Sequence, residues 1–405
     1  MVSSALLTPT EGGEDTWRDA LGWGLVTYVI SRIIVVAGAA AVSAARVAAV
    51  AECEFKEFTQ CGVRPKSAAD GILEALSSWD GQWYISLIRD GYPRSVPAHI
   101  TYLQSEARAA FFPVFPLLAR MFDRILPGGD AAAALVLNLI VGGFLIVALG
   151  RLAVDWCGPR VAKRTMMLAA LFPGSYVLTF AYSEAIFLLL AVLSMLSWHR
   201  HRYITAGLFA AAATASRPNG VALVIAYAIG AILLIRAHRT WRSIITPLVA
   251  PLGLIVVQLY IGWRADEPKV WFRVQSEAWG EGFSFGATAI RRVGQFFLHP
   301  LSSPSNVITV LSLISLAIGL TALWRARLPA YAATYSLAIS LIMLLPETVT
   351  ARPRFVYSAF PLIVAVVVAW PKRWNHDLWM LLMALCGAAL FGLSVLYGLY
   401  AVVIP

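Results

Sequence analysis

The segment "WDGQWYISLIRDGYP", residues 79–93, surrounds the acid Asp80 with aromatic and aliphatic residues. Apolar residues recur at intervals of four from Ile72 to Ile88, a spacing that predicts an amphipathic helix lying in a membrane interface. Asp80 falls in the same row. A carboxylate on the apolar face of such a helix costs free energy unless something compensates it, so the pattern indicates a functional site.

The same acid has a simpler structural interpretation. Three Asp-Gly pairs begin at residues 70, 80 and 90, and Asp-Gly favours turns and helix ends. Only Asp80 is bracketed by tryptophans, Trp79 and Trp83, which could shield the carboxylate and stack on a sugar ring. Tryptophan is also enriched at membrane interfaces for reasons unrelated to ligands, so the aromatic residues alone leave both interpretations open.

The composition is that of an integral membrane protein. Of 405 residues, 59% are hydrophobic and 13% are charged, whereas soluble domains carry about 25% charged residues. The net charge of +10 comes from basic residues scattered between apolar runs, not from the clustered basic face of a nucleic-acid binder. We therefore expect membrane lipids as partners and no nucleic acid, and the alanine-rich, lysine-poor composition favours a bacterial source.

Eleven apolar segments predict membrane-crossing helices, which need about 20 residues each. The predicted fold class is an all-α polytopic membrane protein, a single integral-membrane domain over residues 1–405. The segments are 21–49, 130–150, 165–182, 184–198, 203–216, 218–235, 243–263, 305–324, 328–346, 355–370 and 378–401.

Basic junctions predict the orientation. They lie at 151–164, 199–202, 236–242, 325–327 and 371–377, at every second turn of the chain. The positive-inside rule makes these junctions cytoplasmic, and with them the N-terminal tail, 1–20, which shows no cleavable signal peptide. In a plasma membrane the remaining junctions face outward and should meet at one face: a long first loop, 50–129, then 182–184, 216–220, a second large loop at 264–304, and 346–354.

Further motifs carry a family resemblance. The segment at 79–93 is followed by "AFFPVFPLLARMF" (110–122), and the two resemble the paired motifs of the PIG-V family of GPI mannosyltransferases and their bacterial relatives. That family belongs to the GT-C superfamily of membrane glycosyltransferases. The segments "YSEAIFLLLAVLSM" (182–195), "GLFAAAATASRPNGVAL" (207–223) and "ARPRFVYSAFPL" (351–362) are similar to its other motifs. The likeness implies a GT-C fold whose first outer loop, 50–129, bears the catalytic motif.

The resemblance also implies a reaction. It is an inverting transfer of mannose from polyprenyl-phosphate mannose to a lipid-anchored glycan at the extracytoplasmic face, with no cofactor and no metal. GT-C enzymes use an acid of the first outer loop as general base, and Asp80 occupies the matching position. This fits the chemistry, because an acceptor hydroxyl needs a positioned base, whereas a phosphate leaving group needs positive charge.

Arg352 and Arg354 are the first candidates for binding the donor phosphate, since an arginine fork matches phosphate geometry. They could equally be interfacial arginines that reach lipid headgroups. Arg217 is the next candidate, held in a turn before Pro218, and Glu184 lies at the neighbouring tip. Arg217 and Glu184 have the alternative structural role of pairing with each other.

The remaining site residues are predicted from position. The loop at 264–304 would shape the acceptor side through Trp271, Trp279 and Glu281. Arg32, in the middle of the first helix, must face the protein or a cavity. The substrate pocket is predicted to contain Trp79, Gln82, Trp83, Tyr84 and Glu184.

Two alternative functions stay open at this point. The motifs contain the candidate base and the candidate phosphate-binding residues, but none of them identifies the groups that recognise the sugar hydroxyls. The sugar could therefore instead be glucose, galactose or arabinose. A transporter or flippase for a lipid-linked sugar is the other class. Such a protein should carry mid-membrane ionisable residues and an inverted repeat, and beyond Arg32 neither is apparent.

A disulfide between Cys53 and Cys61 is predicted in the first outer loop, where an oxidising compartment permits one. Closing so short a loop would contribute about 2 to 3 kcal/mol of stability ahead of the helix that carries Asp80. Maleimide added to intact cells should label both thiols from outside only after reduction. Labelling without reductant would refute the bridge, and access from the cytoplasmic side alone would overturn the orientation.

Overall fold

The computed structural model describes residues 16–55, 65, 67–300, 302–347, 352–371 and 376–399, with the backbone alone for 52–55. Within these ranges the fold is all-α, and the one β-type contact is a bridge between Phe283 and Pro346. The first nine helices are α1 (Trp17–Phe55), α2 (Ala68–Leu76), α3 (Asp80–Asp90), α4 (Val114–Asp123), α5 (Gly129–Cys157), α6 (Pro159–Leu171), α7 (Glu184–His199), α8 (Tyr203–Ser216) and α9 (Val221–His238). The next nine are α10 (Ile245–Val249), α11 (Leu252–Arg264), α12 (Val270–Trp279), α13 (Ala287–Leu298), α14 (Pro304–Ala326), α15 (Ala330–Leu344), α16 (Pro353–Ser358), α17 (Pro361–Val368) and α18 (His376–Gly398).

Six helical segments of the described chain are long and apolar enough to cross a membrane, which confirms the predicted fold class of an all-α polytopic membrane protein. Three shorter apolar helices, α7, α8 and α15, accompany them. The predicted number of eleven spans is not established by length and composition. The six segments are Trp17–Ala51, Gly129–Cys157, Pro218–His238, Trp241–Arg264, Pro304–Ala326 and His376–Gly398.

The single amphipathic helix predicted around Asp80 is instead two short helices, α2 and α3. The chain breaks between them because Trp79 adopts φ 56°, a left-handed conformation that is strained for a bulky residue. The indole N–H of Trp79 and the hydroxyl of Ser78 both donate to the carbonyl oxygen of Tyr397, at 2.9 and 3.0 Å, and hold the break in place. Asp80 thereby becomes the first residue of α3, where the helix dipole favours a carboxylate.

Arg32 is buried within α1 and has a structural role. Its guanidinium donates to the carbonyl oxygens of Ala170 and Ser175 and to the hydroxyls of Ser175 and Thr179, at 2.7 to 3.2 Å. These bonds hold the 3-10 segment Pro173–Leu178, which leads into α7. The buried charge is therefore compensated by oxygen acceptors, which is the condition for an arginine at such a depth.

A second, smaller hydrophobic core positions α12 against α3. Leu87, Tyr92, Val257, Ile261 and Val274 are buried in it together with the 3-10 segment Ser105–Ala110. The indole N–H of Trp271 donates to the carbonyl oxygen of Ala110 at 3.0 Å. This core brings the start of the 264–304 loop next to the helix that begins at Asp80.

The predicted disulfide lies outside the described residues, because neither the side chain of Cys53 nor any atom of Cys61 is described. Among the described cysteines, Cys157 ends α5, Cys386 lies in α18, and both are free thiols. The bridge and the maleimide experiment therefore stay a prediction.

Candidate active site

An open cavity lies where the ends of α3, α8, α12, α15 and α16 converge. Of the five junctions predicted to meet at one face, four line it directly, and the fifth, 182–184, reaches its wall through Glu184. The predicted convergence of distant loops is therefore present in the fold. The lining residues are Asp80, Tyr84, Ala110, Phe111, Phe112, Ser216, Arg217, Pro218, Asn219, Gln275, Trp279, Glu281, Ile342, Pro346, Arg354 and Phe355.

Two acids and two arginines form an alternating chain of charges in the wall. Arg354 Nη1 donates to Asp80 Oδ2 at 2.5 Å and lies 3.7 Å from Glu184 Oε1, while Arg217 Nη1 lies 2.7 Å from Glu184 Oε2. The Glu184 side chain is 2% exposed and that of Asp80 is 21% exposed. Asp80 is thus the acid of this network that a substrate in the cavity can reach.

The charge network fixes the protonation of Arg354. Burial alone disfavours the guanidinium cation, but the carboxylates of Asp80 and Glu184 more than offset this, so the pKa of Arg354 is raised well above its ordinary value. Burial also raises the pKa of Tyr84, whose hydroxyl lies 2.6 Å from Ser183 Oγ. Arg217 Nη1 donates to the same Ser183 oxygen at 3.0 Å. This hydrogen bond connects the cavity lining to the residue that precedes α7.

Arg352 is a buried cation of a different kind. Its side chain is 1% exposed, and neither Nε nor Nη1 has a hydrogen-bond partner among the described residues. Burial, opposed by Tyr397 and assisted by the positive charges of Arg292 and Arg354, lowers the pKa of Arg352 to about 10, so the group is still charged at neutral pH. Buried guanidinium donors without acceptors cost free energy, and an anionic ligand would supply acceptors for Nε and Nη1.

The other predicted site residues are distributed around the cavity. Trp279 and Glu281 line it, and Trp83 stacks on Phe111 at 6.2 Å and meets Trp279 edge-on at 5.6 Å, just behind the lining. Gln82 is exposed on the outer face of α3. The side chains of Trp79 and Trp271 are not among the lining groups and support the wall through their hydrogen bonds to Tyr397 and Ala110.

Three polar groups near Arg352 and Arg354 were not predicted from the sequence. Arg292 on α13 contributes positive charge beside Arg352, and the buried hydroxyls of Tyr176 and Tyr397 lie close enough to influence it. The adjacent Arg291 and Arg292, in the loop at 264–304 that is predicted to face outward, were the one sequence signal for this cluster.

The position of α16, and hence of Arg352 and Arg354, depends on close packing at Gly174. A Cβ atom on Gly174 would lie 2.3 Å from the carbonyl oxygen of Pro353 and 2.8 Å from Cβ of Tyr357. Both are too near for any side chain, so the 3-10 segment Pro173–Leu178 can approach α16 only because residue 174 has none.

We expect Gly174→Ala to destabilise the protein by about 1 to 3 kcal/mol, because the extra methyl group forces α16 away from its seat. Donor binding should weaken with it, since both arginines move. Thermal unfolding in detergent and donor binding measure the two effects. Gly143→Ala is the matched control, because its Cβ would meet only Cε1 of Tyr28, at an ordinary 3.6 Å. A Gly174→Ala protein as stable as that control would contradict the packing argument.

The family model described as "Mannosyltransferase (PIG-V)" matches residues 24–248, more than half of the 405 residues. The chain therefore belongs to the PIG-V mannosyltransferase family, as the motifs at 79–93 and 110–122 indicated. Among its curated relatives, GPI alpha-1,6-mannosyltransferase 2 of Cricetulus griseus is 30% identical over 165 residues, 38% of this chain and 31% of the relative. The Homo sapiens protein of the same name is 29% identical over the same shares. The chain thus spans about a third of the length of these relatives.

Two solved structures show a distant likeness. ArnT from Cupriavidus metallidurans, bound to undecaprenyl phosphate, aligns with a TM-score of 0.49 and 15% identity, over 80% of this chain and 64% of that one. The oligosaccharyltransferase of Archaeoglobus fulgidus aligns with a TM-score of 0.46 and 12% identity, over 93% of this chain and 55% of that one.

Proposed function

We propose that the protein is an inverting mannosyltransferase that takes mannose from polyprenyl-phosphate mannose and gives it to a lipid-anchored acceptor at the extracytoplasmic face. The observation that carries the proposal is the cavity wall in which the accessible carboxylate of Asp80 touches Arg354. Two residues away, the buried Nε and Nη1 of Arg352 have no hydrogen-bond partner among the described residues. A base for the acceptor, Asp80, and a cation for the leaving phosphate, Arg354, thus line one cavity, and Arg352 lies behind its wall.

The proposed step is a single displacement at C1 of the mannose. The acceptor hydroxyl oxygen attacks C1, the bond between C1 and the phosphate oxygen breaks with its electron pair on the phosphate, and the hydroxyl proton passes to Asp80. The products are the mannosylated acceptor and polyprenyl phosphate. A positioned base of this kind is worth about 10² to 10⁴ in rate.

The arginines have separate proposed roles. Arg354 uses Nη1 to orient the Asp80 carboxylate, and its buried Nε has no partner among the described residues. That Nε and the free donors of Arg352 would bind the phosphate oxygens and stabilise the negative charge that develops on the leaving group. Arg217 would act through Glu184, holding the carboxylate that helps to fix Arg354.

The acceptor would enter from the side lined by Trp279, Phe111 and Asn219, where aromatic faces can stack on sugar rings. A glycan acceptor is in keeping with the curated relatives, which are named as GPI mannosyltransferases. The extracytoplasmic location follows from the basic junctions on the other side of the predicted topology.

Purified protein in lipid nanodiscs tests the proposal when it is given radiolabelled polyprenyl-phosphate mannose and a membrane lipid extract. We expect label to appear in a glycolipid, and the corresponding glucose, galactose and arabinose donors to be poor substrates. Preferred transfer from one of those donors would overturn the choice of sugar. In sealed proteoliposomes, movement of the donor across the membrane without transfer would support the transporter alternative.

A further inference from the structure

A second cavity lies at the far end of two helices that contribute to the candidate active site. Helix α7 begins at Glu184, in the active-site wall, and ends at His199, which lines the second cavity. Helix α15 begins at Ala330, in the second cavity, and continues to Ile342, in the lining of the active site. At 1.5 Å per residue, the helices separate the two cavities by roughly 20 Å. The second cavity therefore belongs to the opposite face of the fold.

The floor of this cavity combines aromatic faces with a few hydrogen-bonding groups. Gly230 of α9 leaves room for the ring of Trp198, because a Cβ atom on residue 230 would lie only 3.2 Å from that ring. The hydroxyl of Tyr331 accepts from the indole N–H of Trp156 at 3.1 Å and lies 3.2 Å from Nδ1 of His199. A mostly apolar lining with a small number of fixed polar groups is typical of a ligand site.

One side of the cavity continues into the apolar outer surface of α9. Leu233 lines the cavity and is 46% exposed. Ile229 and Ile225, one and two turns earlier on the same face of α9, are each 41% exposed. Helix α9 lies in one of the six segments that are apolar enough to cross a membrane. An apolar chain can therefore extend from the cavity along α9 without leaving the membrane.

Three basic junctions of the chain border the cavity. The junction at 199–202 contributes two histidines to the lining. The lining residues Leu234 and Pro329 each lie two residues from a further basic junction, at 236–242 and 325–327 respectively. The basic side of the predicted topology is thus represented at this opening by three separate parts of the chain.

Arginines of these junctions are available to an anion. Asp155, at the end of α5, is already paired with Arg151 and Arg200, at 3.4 and 2.8 Å. Neither Arg202 nor Arg327 has an ion-pair partner in the part of the chain that the structure describes. An anionic group at the opening would therefore meet positive charge that is not already paired.

His201 is fixed in a conformation that leaves one ring nitrogen for a ligand. Its φ of 58° is left-handed, a conformation that histidine adopts more readily than most residues other than glycine. Its backbone N–H donates to the carbonyl oxygen of Trp198 at 2.9 Å, and Nδ1 lies 3.0 Å from the hydroxyl of Tyr203. Nε2 is then the nitrogen with which His201 can donate to an oxygen anion in the cavity.

We propose that this cavity binds an anionic phospholipid from the leaflet on the basic side of the protein. The phosphate would lie at His201 Nε2 with Arg202 and Arg327 around it, and an acyl chain would follow Leu233 and Ile229 along α9. Basic pockets between membrane helices are a known type of site for anionic headgroups. A soluble anion would leave the apolar side of the cavity unused, and a zwitterionic lipid would bring a cation of its own to a basic opening.

The phospholipid would act on the fold and not on the transfer reaction, so the inference is independent of the proposed function. It would contact the ends of α7, α9 and α15 together. A ligand that binds the folded state and not the unfolded state raises the unfolding temperature in proportion to its occupancy. Thermal stability therefore reports binding without any mannosyl transfer.

Delipidated protein in detergent tests the proposal when it is titrated with phosphatidylglycerol, with phosphatidylcholine of the same acyl chains, and with inorganic phosphate. We expect phosphatidylglycerol alone to raise the unfolding temperature with saturation, and native mass spectrometry to show the lipid retained. Equal stabilisation by phosphatidylcholine would overturn recognition of an anionic head. The full effect from inorganic phosphate would overturn the lipid as occupant.

Two matched pairs of variants locate the site. Leu233→Trp fills the proposed path of the chain, and Ile232→Trp places the same ring on the neighbouring exposed residue, which does not line the cavity. His201→Asn removes the imidazole while keeping a residue that tolerates the left-handed backbone. Its control is His238→Asn, at an exposed histidine in the last turn of α9 that also lies outside the lining.

We expect Leu233→Trp and His201→Asn each to weaken phosphatidylglycerol binding by about tenfold, the loss of one good hydrogen bond or of two buried methylene groups. Both controls should bind like the wild type. Each variant is compared with its own lipid-free unfolding temperature, so a less stable fold does not imitate a loss of binding. Wild-type affinity in both Leu233→Trp and His201→Asn would overturn the site, whatever the outcome of the mannosyl transfer assay.

Discussion

Replacement of Asp80 by asparagine is expected to lower the rate of transfer by about 10² to 10⁴, because it removes the base and leaves the rest of the site in place. The asparagine side chain has the same shape, and its amide oxygen can still accept the hydrogen bond from Arg354. Donor binding and expression should therefore stay close to those of the wild type. Single-turnover transfer and equilibrium donor binding measure the two properties on the same preparation.

Asp90→Asn provides the control for this experiment. Asp90 ends the same helix, is exposed, and also precedes a glycine, but it lies outside the cavity. We expect the wild-type rate from this variant. A wild-type rate from Asp80→Asn as well would eliminate Asp80 as the base.

Arg352→Ala is expected to weaken donor binding by about 1.5 to 3 kcal/mol, roughly ten- to 150-fold, since it deletes charge-assisted hydrogen bonds to the phosphate. Arg352→Met, which keeps most of the side-chain volume, should not lower the thermal stability of the protein without donor, because it removes a buried charge whose Nε and Nη1 have no partner among the described residues. Opposite effects on binding and on stability would distinguish a ligand-binding arginine from a structural one. Arg352→Lys should restore binding only in part, because lysine lacks the planar fork.

Arg236→Ala is a suitable control, since Arg236 is exposed in the last turn of α9 and lies in a basic junction predicted to be cytoplasmic. It should bind donor like the wild type. If Arg352→Ala unfolds at a lower temperature and binds donor normally, Arg352 is part of the scaffold, and the phosphate site must be sought elsewhere.

The sequence was informative where chemistry is carried by single residues at the ends of apolar segments. Asp80 was predicted from its place on an apolar helix face, and Glu184, Arg217 and Arg354 from their positions in family-like motifs at predicted outward junctions; the structure brings all four into one network. Alternating basic junctions predicted which loops would meet, because membrane-crossing segments place every second junction on the same side.

Other features depend on contacts between distant parts of the chain and have no local signal. The break between α2 and α3 is held by hydrogen bonds to Tyr397, more than 300 residues away, so the i, i+4 pattern alone suggested one helix. The orientation of Trp79 toward α18 follows from the same bonds. The surroundings of Arg352 are set by how α16 packs against α14, α15 and the segment Pro173–Leu178, which periodicity does not encode.

The central claim is that Asp80 takes a proton in a single displacement, and the configuration at C1 of the transferred mannose tests it most directly. The product glycolipid is isolated after one turnover and its anomeric linkage is determined by NMR, while the protein is analysed by mass spectrometry for bound mannose. Our account predicts inversion relative to the donor and no mannosyl group on the protein. Retention of configuration, or mannose attached to Asp80, would contradict it by showing that the carboxylate acts as a nucleophile.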